Sequence, residues 1–316
     1  MKQFAPPNKL DAGLDEGLIV ANFGRHLLVE TREGRRVICH SRGKKSQAVV
    51  GDRVLWRASQ DEGTIEKIEP RRNLLFRQDE VRTKSFAANL DQIVVVVAGE
   101  PEFSEYQLAR VLIAAADAQV DVLIVCNKQD LQVPFARAWV RLEPYRAMGY
   151  RVMPLSLKTD DATGFDALRQ LLLGKTSLIM GASGMGKSTL TNQLVPHADA
   201  PTAEISTALA SGKHTTTSTT WYWMDAAKAT ALIDSPGFQE FGLHHIEAMH
   251  LANRMPDMMA HATQCKFYNC SHLHEPGCAV MAAVAKEGTT SKPQEISTSR
   301  YKIYSDLFAE LKVSRY

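Results

Sequence analysis

No stretch of this 316-residue sequence approaches the length of a membrane span; the strongest apolar run, residues 93–98, is only long enough for a buried strand. Residues 1–15 contain no apolar segment of the secretory kind, so the expected location is the cytoplasm and no membrane partner is expected. Net charge is only +2, too little to suggest nucleic acid by itself. Cysteine is scarce, with five in all. Cys39 and Cys126 sit in apolar, strand-like runs and read as small buried hydrophobes, whereas Cys265, Cys270 and Cys278 cluster. In a cytosolic protein such a cluster points to metal rather than disulfides. An apolar content of 45% and a charged content of 23% describe a soluble globular chain, and its length calls for two or three domains.

The strongest motif is Gly181-Ala182-Ser183-Gly184-Met185-Gly186-Lys187-Ser188-Thr189, which fits the phosphate-binding pattern G-x-x-x-x-G-K-[ST]. An apolar strand pattern at 177–180 runs into it and a helical pattern at 188–194 runs out, the context the motif needs. Glycines let the backbone wrap a phosphate with its N–H groups inward, and the helix N-terminus adds partial positive charge. Lys187 would reach the β- and γ-phosphates, and the Ser188 hydroxyl would hold Mg²⁺.

Directly after an apolar run at 122–126 comes Asn127-Lys128-Gln129-Asp130, the guanine-reading N-K-x-D. The Asp130 carboxylate can accept both the ring N1–H and the exocyclic amine of guanine, a donor pair that adenine lacks. Discrimination of this kind reaches ~10⁴-fold or more, which disfavours an ATPase. Lys128 would pack its stem over the base and Asn127 would tie the loop to its surroundings. Ser156, after the next strand pattern, falls where a base-contacting serine would sit. Beyond the phosphate loop lies a polar stretch at 198–220 with Gly212-Lys213-His214-Thr215-Thr216-Thr217, long enough to be a switch; one threonine, Thr216 in this reading, would coordinate Mg²⁺. An apolar run at 229–233 then ends in Asp234-Ser235-Pro236-Gly237, a D-x-x-G in which Asp234 serves Mg²⁺ and the Gly237 N–H meets the γ-phosphate. The parts are complete but cyclically rotated, with N-K-x-D ahead of the phosphate loop. The D-x-x-G strand therefore feeds the C-terminal region, which is expected to feel the nucleotide state. Many GTPases orient the attacking water with a glutamine just after D-x-x-G; here Phe238 stands there, so His214 is the expected orienting residue, swung in when a partner docks.

The remaining chain reads as follows. Residues 1–16 look like a flexible tail. Five short strand patterns between 17 and 70 suggest a small β-barrel, OB-like or SH3-like. Arg25, Arg32, Arg35, Arg36, Arg42, Lys44, Lys45, Arg53 and Arg57 make it basic, a plausible RNA platform or simply a solvated face. With Phe23 and Trp56 as its aromatics, phosphate contacts are expected over base stacking. Residues 71–89 read as a basic connector, and from 90 strands alternate with helices as in a parallel α/β sheet. Near the end, Cys265, Cys270, His272 and Cys278 offer three thiolates and an imidazole, a closed tetrahedral set for one structural Zn²⁺; spacing alone leaves His261 and His274 as rival ligands. Residues 248–259, 279–286 and 301–313 look helical.

In this combination the chain resembles the ribosome small-subunit-dependent GTPase A family (RsgA, also called YjeQ or YloQ), the circularly permuted GTPases of bacteria. The resemblance covers about residues 17–316 and rests on the barrel, the four GTPase motifs with His214-Thr215-Thr216-Thr217, and the Cys/His cluster with Glu275-Pro276-Gly277-Cys278. It implies a multidomain α/β protein: an OB-fold barrel at 17–72, a permuted P-loop GTPase domain at 73–245 and a helical zinc-binding domain at 246–316. It also implies GTP hydrolysis in late maturation of the small (30S) ribosomal subunit, stimulated by that subunit, with rRNA as partner and the chain a monomer. The competing functions are a permuted GTPase of the large subunit and an RNA-binding assembly module with a weak GTPase.

Overall fold

Alternating apolar residues close the first five strands into a barrel. In the computed structural model, which describes residues 13–42, 47–59, 62–158, 162–196, 198, 219–237, 241–285 and 295–313, these are β1 (Asp15–Phe23), β2 (His26–Thr31), β3 (Arg36–Ser41), β4 (Arg53–Ala58) and β5 (Gly63–Ile68). Ile19, Leu27, Val29, Cys39, Val54, Trp56 and Ile65 fill its interior. The strands pair in the order β1-β2-β3-β5-β4, β4 returns to β1, and β3–β5 is the parallel pair. That closed Greek-key order is an OB barrel, which removes the SH3-like alternative.

The stretch expected as a basic connector is instead an ordered hairpin, β6 (Leu74–Gln78) and β7 (Thr83–Ala88). Its arginines hid it. Arg71 is spent on the fully buried Asp52, through Nε at 2.7 Å and Nη2 at 2.8 Å, and Arg72 on Asp91 at 2.8 Å. Of its apolar residues, Leu75, Phe86, Ala87 and Ala88 are buried.

From there the chain alternates: β8 (Gln92–Ala98), α1 (Glu105–Asp117), β9 (Asp121–Asn127), α2 (Gln132–Arg141), α3 (Glu143–Ala147), β10 (Arg151–Pro154), α4 (Ala162–Leu172), β11 (Thr176–Met180), α5 (Lys187–Leu194), β12 (Thr220–Trp223) and β13 (Ala231–Asp234). The sheet order is β10-β9-β8-β11-β13-β12, parallel except for the last strand. β12 also pairs with β1 of the barrel at Ala21 and Thr220, so one eleven-stranded sheet runs through both units. No helix among the described residues is long and apolar enough to cross a membrane.

The same junction is fastened by the buried carboxylate of Glu30 on β2, which accepts from Trp223 Nε1 (2.8 Å), Lys228 Nζ (2.6 Å) and Arg36 Nε (3.2 Å). Burial alone would raise its pKa, but the bonds from Lys228 and Trp223 outweigh it and hold it below the ordinary 4.5. A carboxylate with a lowered pKa stabilises the fold above its unfolded pKa and loses that contribution as pH falls through the folded value. Glu30→Gln is therefore expected to cost about 1–2 kcal/mol near neutral pH, modest because Lys228 and Arg36 are partly solvated. In paired urea titrations the gap to wild type should narrow as pH falls below the ordinary 4.5 and through the lower folded value; a gap independent of pH would mean lost packing rather than lost charge.

After β13 the chain passes under the hairpin: Gln78 N–H donates to Gly242 C=O (3.1 Å), His244 N–H donates to Gln78 C=O (3.0 Å), and Phe241 stacks on Phe86. The helix expected across 248–259 is broken into two 3₁₀ turns, Ala248–His250 and Ala252–Arg254, before α6 (Pro256–Ala262). Pro256 is the reason, because it forces Met255 into an extended conformation and can only begin a helix. A one-turn α7 (Ala279–Ala282) and the long α8 (Thr298–Val313) complete the chain. α8 packs back on the other helices: buried Arg300 forks onto Asp257 (2.8 and 3.1 Å), and Glu310 pairs with Arg110 of α1.

Candidate functional site

β9 and β10 extend the sheet to one side of β8, while β11 and β13 extend it to the other, so the order reverses between β8 and β11. In open α/β sheets ligands bind at the carboxyl ends of strands at such a point, and here β11 delivers the chain into Gly181. Gly181 has φ 148°, and a Cβ there would lie 2.4 Å from Val96 O. Gly186 has φ 101°, and a Cβ would lie 2.3 Å from Asn127 Nδ2. The missing side chain at Gly186 is what admits Asn127, whose Nδ2 donates to Met185 C=O at 2.9 Å. The N-K-x-D loop is thereby fastened to the phosphate loop. Asn127 is buried, and its Oδ1 finds no hydrogen-bond partner among the described residues.

Lys187, the first residue of α5, is buried, and its Nζ donates to Ala182 C=O at 2.8 Å. Burial lowers its pKa and the charge of Asp234 opposes that shift. Asp234 closes β13 and is itself buried. Gly237 lies over the loop: a Cβ on it would sit 3.2 Å from Lys187 Nζ and 3.5 Å from Ser183 N. Ser183 and Gly184 face solvent, and Ser188 and Thr189 are half-buried on the first turn of α5. The hydroxyl of Ser188 and the carboxylate of Asp234 are hard oxygen donors of the kind Mg²⁺ takes.

Across the loop, Ser156 is buried and its Oγ donates to Asp130 Oδ1 at 2.8 Å. Lys128 adopts φ 62° and its Nζ reaches Glu100 C=O at 2.7 Å. Partial burial lowers its pKa, aided by Lys158. The structure thus brings Asn127, Lys128, Asp130, Ser156, residues 181–189, Asp234 and Gly237 to one edge of the sheet. His214, Thr216 and Phe238 lie outside the described residues.

The second cluster joins Cys265, Cys270, His272 and Cys278, with one ligand atom from each lying within 4.8 Å of all the others. Cys265 Sγ and Cys278 Sγ are 3.9 Å apart, and His272 Nδ1 lies 3.4 Å from the first and 3.5 Å from the second. Tetrahedral zinc, with bonds of about 2.3 Å to sulfur and about 2.0 Å to nitrogen, sets those spacings near ~3.8 and ~3.5 Å, so the residues fit the ion. His261 and His274 are not part of this set. His272 takes φ 60°, and Glu275 braces the turn by accepting from Ser271 N, Ser271 Oγ, Leu273 N and His274 N. Burial opposes the ionised form of Glu275, yet these bonds keep its pKa well below the usual carboxylate range. Tyr301 and Tyr304 of α8 donate to the carbonyls of His272 (2.8 Å) and Ser271 (2.9 Å), locking the turn to the longest C-terminal helix.

A model of the RsgA GTPase family matches residues 68–244. The small ribosomal subunit biogenesis GTPase RsgA of Variovorax paradoxus (strain S110) is 63% identical over 303 residues, covering 96% of this chain and 94% of that protein. The chain belongs to the RsgA GTPase family. The RsgA of Bordetella pertussis (strain Tohama I) is 47% identical over 301 residues, 95% of this chain and 97% of its own length. Two solved structures share the fold: YjeQ from Thermotoga maritima, with TM-score 0.69, 29% identity and coverage of 95% of this chain and 99% of that one, and YloQ, described as a circularly permuted GTPase, with TM-score 0.68, 26% identity and coverage of 98% and 99%.

Within this RsgA GTPase three contributors escape sequence reasoning. Glu100 supplies only a backbone oxygen to Lys128, which no residue pattern records. Glu30 serves the barrel junction from within an ordinary amphipathic strand. Glu275 has a readable signal, a lone acid before Pro-Gly inside the Cys/His loop, but its contacts with the backbone and Ser271 do not follow from spacing.

Proposed function

We propose that this chain hydrolyses GTP as a late maturation factor of the small (30S) ribosomal subunit, with turnover raised by that subunit and its rRNA. The observation that carries the chemistry is the convergence of Lys187, Asp234 and Gly237 with the Asn127–Asp130–Ser156 array at one sheet edge. The small subunit as partner rests on relatives of high identity that bear that name. The working division is a barrel at 17–72, a GTPase domain at 73–245 and a zinc-binding unit at 246–316, in a monomeric cytoplasmic chain. rRNA contact through the barrel falls to exposed residues such as Arg25 and Arg35. Arg32, Arg36 and Arg42 are held by Glu16, Glu30 and Glu66, so the barrel is less basic than its sequence suggests.

In the proposed reaction water attacks the γ-phosphorus in line, the bond to the β–γ bridging oxygen breaks, and GDP leaves with the electron pair. Amides of residues 182–188 and the Lys187 ammonium stabilise negative charge on the leaving side. Asp130 and Ser156 hold guanine, Lys128 covers it, and Asn127 keeps both loops in register. Mg²⁺, held by Ser188, Asp234 and Thr216, would neutralise phosphate charge. His214 orients the water once the partner has docked.

The test is phosphate release from GTP with and without purified small subunits, beside large-subunit and ATP controls. Strong stimulation by small subunits alone is expected, and equal slow turnover in every mixture would overturn the assignment. In parallel, Asp130→Asn should lower GTP turnover by ~10³-fold or more and transfer preference to xanthosine triphosphate, since the variant keeps an Oδ1 for Ser156 but presents a donor to the base. Unchanged GTP preference would remove Asp130 from base recognition.

A further inference from the structure

We propose that His26, His40 and Glu62 form a second metal site, on the outside of the barrel, for Zn²⁺ or a similar borderline divalent ion. His26 on β2 and His40 on β3 are direct cross-strand partners, so both imidazoles emerge from the same face, with ring centroids 4.8 Å apart. Glu62 immediately precedes β5, whose Gly63 pairs with Cys39 in parallel register, and its carboxylate contacts His40 Nε2. One ligand atom from each of the three residues lies within 4.8 Å of the other two. Two adjacent strands and the residue that leads into a third therefore place three ligands together at the wall of a closed barrel.

The donor set chooses the ion. Two imidazoles and one carboxylate suit Zn²⁺, Ni²⁺ or Cu²⁺ and not Mg²⁺, which prefers oxygen throughout. His40 and Glu62 are partly exposed and His26 is exposed, so water can complete the coordination shell. The neighbouring thiol does not enter: Cys39 is fully buried on the opposite face of β3, and burial pushes its pKa up to about 11. Nor does the nearby cation compete for the carboxylate, because Arg42, two residues beyond His40 on the same face, is taken by Glu66. A simple His40–Glu62 ion pair would account for two of the residues; it gives no reason for the second imidazole placed directly opposite the first.

The experiment is a zinc count on the full-length chain after equilibrium dialysis against micromolar free Zn²⁺, with the Cys265–Cys270–His272–Cys278 site filled throughout. Wild type and the control His250→Ala should carry two ions per chain, and His26→Ala and His40→Ala one. The retained ion reports that the variants are folded; should either lose both, Glu62→Gln takes its place in the count. A wild-type count of one overturns the proposal. So does a count of two in the folded histidine variants.

Discussion

Lys187→Ala is expected to lower the single-turnover rate of GTP hydrolysis by ~10²–10³-fold, the effect of removing one preorganised charge stabiliser from a water-poor site. The argument rests on where the ammonium sits. It is buried at the start of α5, beside the buried Asp234 and within reach of the backbone of residue 182. Burial already penalises its charged form, so the protein holds it there at a cost to stability. Its removal also takes the counter-charge from the buried Asp234, so the thermal midpoint should fall as well, and the single-turnover rate is read on protein shown to be folded. Lys187→Arg should not restore activity, because a planar guanidinium cannot reproduce the compact point charge that Nζ places, buried, 2.8 Å from the Ala182 carbonyl. Full turnover by a folded Lys187→Ala protein would contradict this reading.

Removing the Zn²⁺ proposed for the Cys265–Cys270–His272–Cys278 cluster should have the largest structural effect of any single change. Binding energy at such sites is folding energy, about 10–16 kcal/mol of apparent stability in small zinc-dependent units. Apart from the Arg300–Asp257 fork and the buried Met258 and Val280, little else is available to the segment from 256 to 285: α7 has four residues, α6 has seven, and the turn between them is built on the cluster residues and on Glu275. Chelation, or Cys278→Ser, is expected to unfold this unit and free α8, whose tyrosines hold the carbonyls of Ser271 and His272. Limited proteolysis should then cut beyond about residue 246, while the phosphate loop, supported by its own sheet, continues to bind nucleotide. Zinc-free protein with unchanged helix content and protease resistance would show that packing of α8 on α1 suffices.

The candidate nucleotide site was legible because its chemistry dictates residue type and spacing within short segments: residues 181–189, 127–130 and 234–237 each carry their own pattern. The Cys265, Cys270, His272 and Cys278 cluster was legible for the same reason, though only geometry separated His272 from His261 and His274. The five barrel strands could be read from alternation, but their topology could not, because OB and SH3 barrels share that texture and differ in which strands meet. The hairpin of β6 and β7 was hidden by arginines whose partners, Asp52 and Asp91, are remote in sequence. Strand β12 was missed because it directly continues the polar stretch at 198–220, and its role comes from a neighbour two hundred residues earlier.

That neighbour gives β12 a second meaning. The strand ends the polar stretch that carries His214 and Thr216, and at Thr220 it is paired with Ala21 of the barrel. Whatever displaces the barrel relative to the parallel sheet acts on a strand only four residues from Thr216. Such a connection is thermodynamically reciprocal. If engagement of the barrel by a partner favours the arrangement that binds GTP, then GTP must tighten engagement of the barrel by the same factor, commonly 5- to 150-fold for a coupling of about 1–3 kcal/mol. Loading with GTP and loss of the γ-phosphate would then set how long the barrel stays engaged, making hydrolysis a timer for release as well as a chemical step.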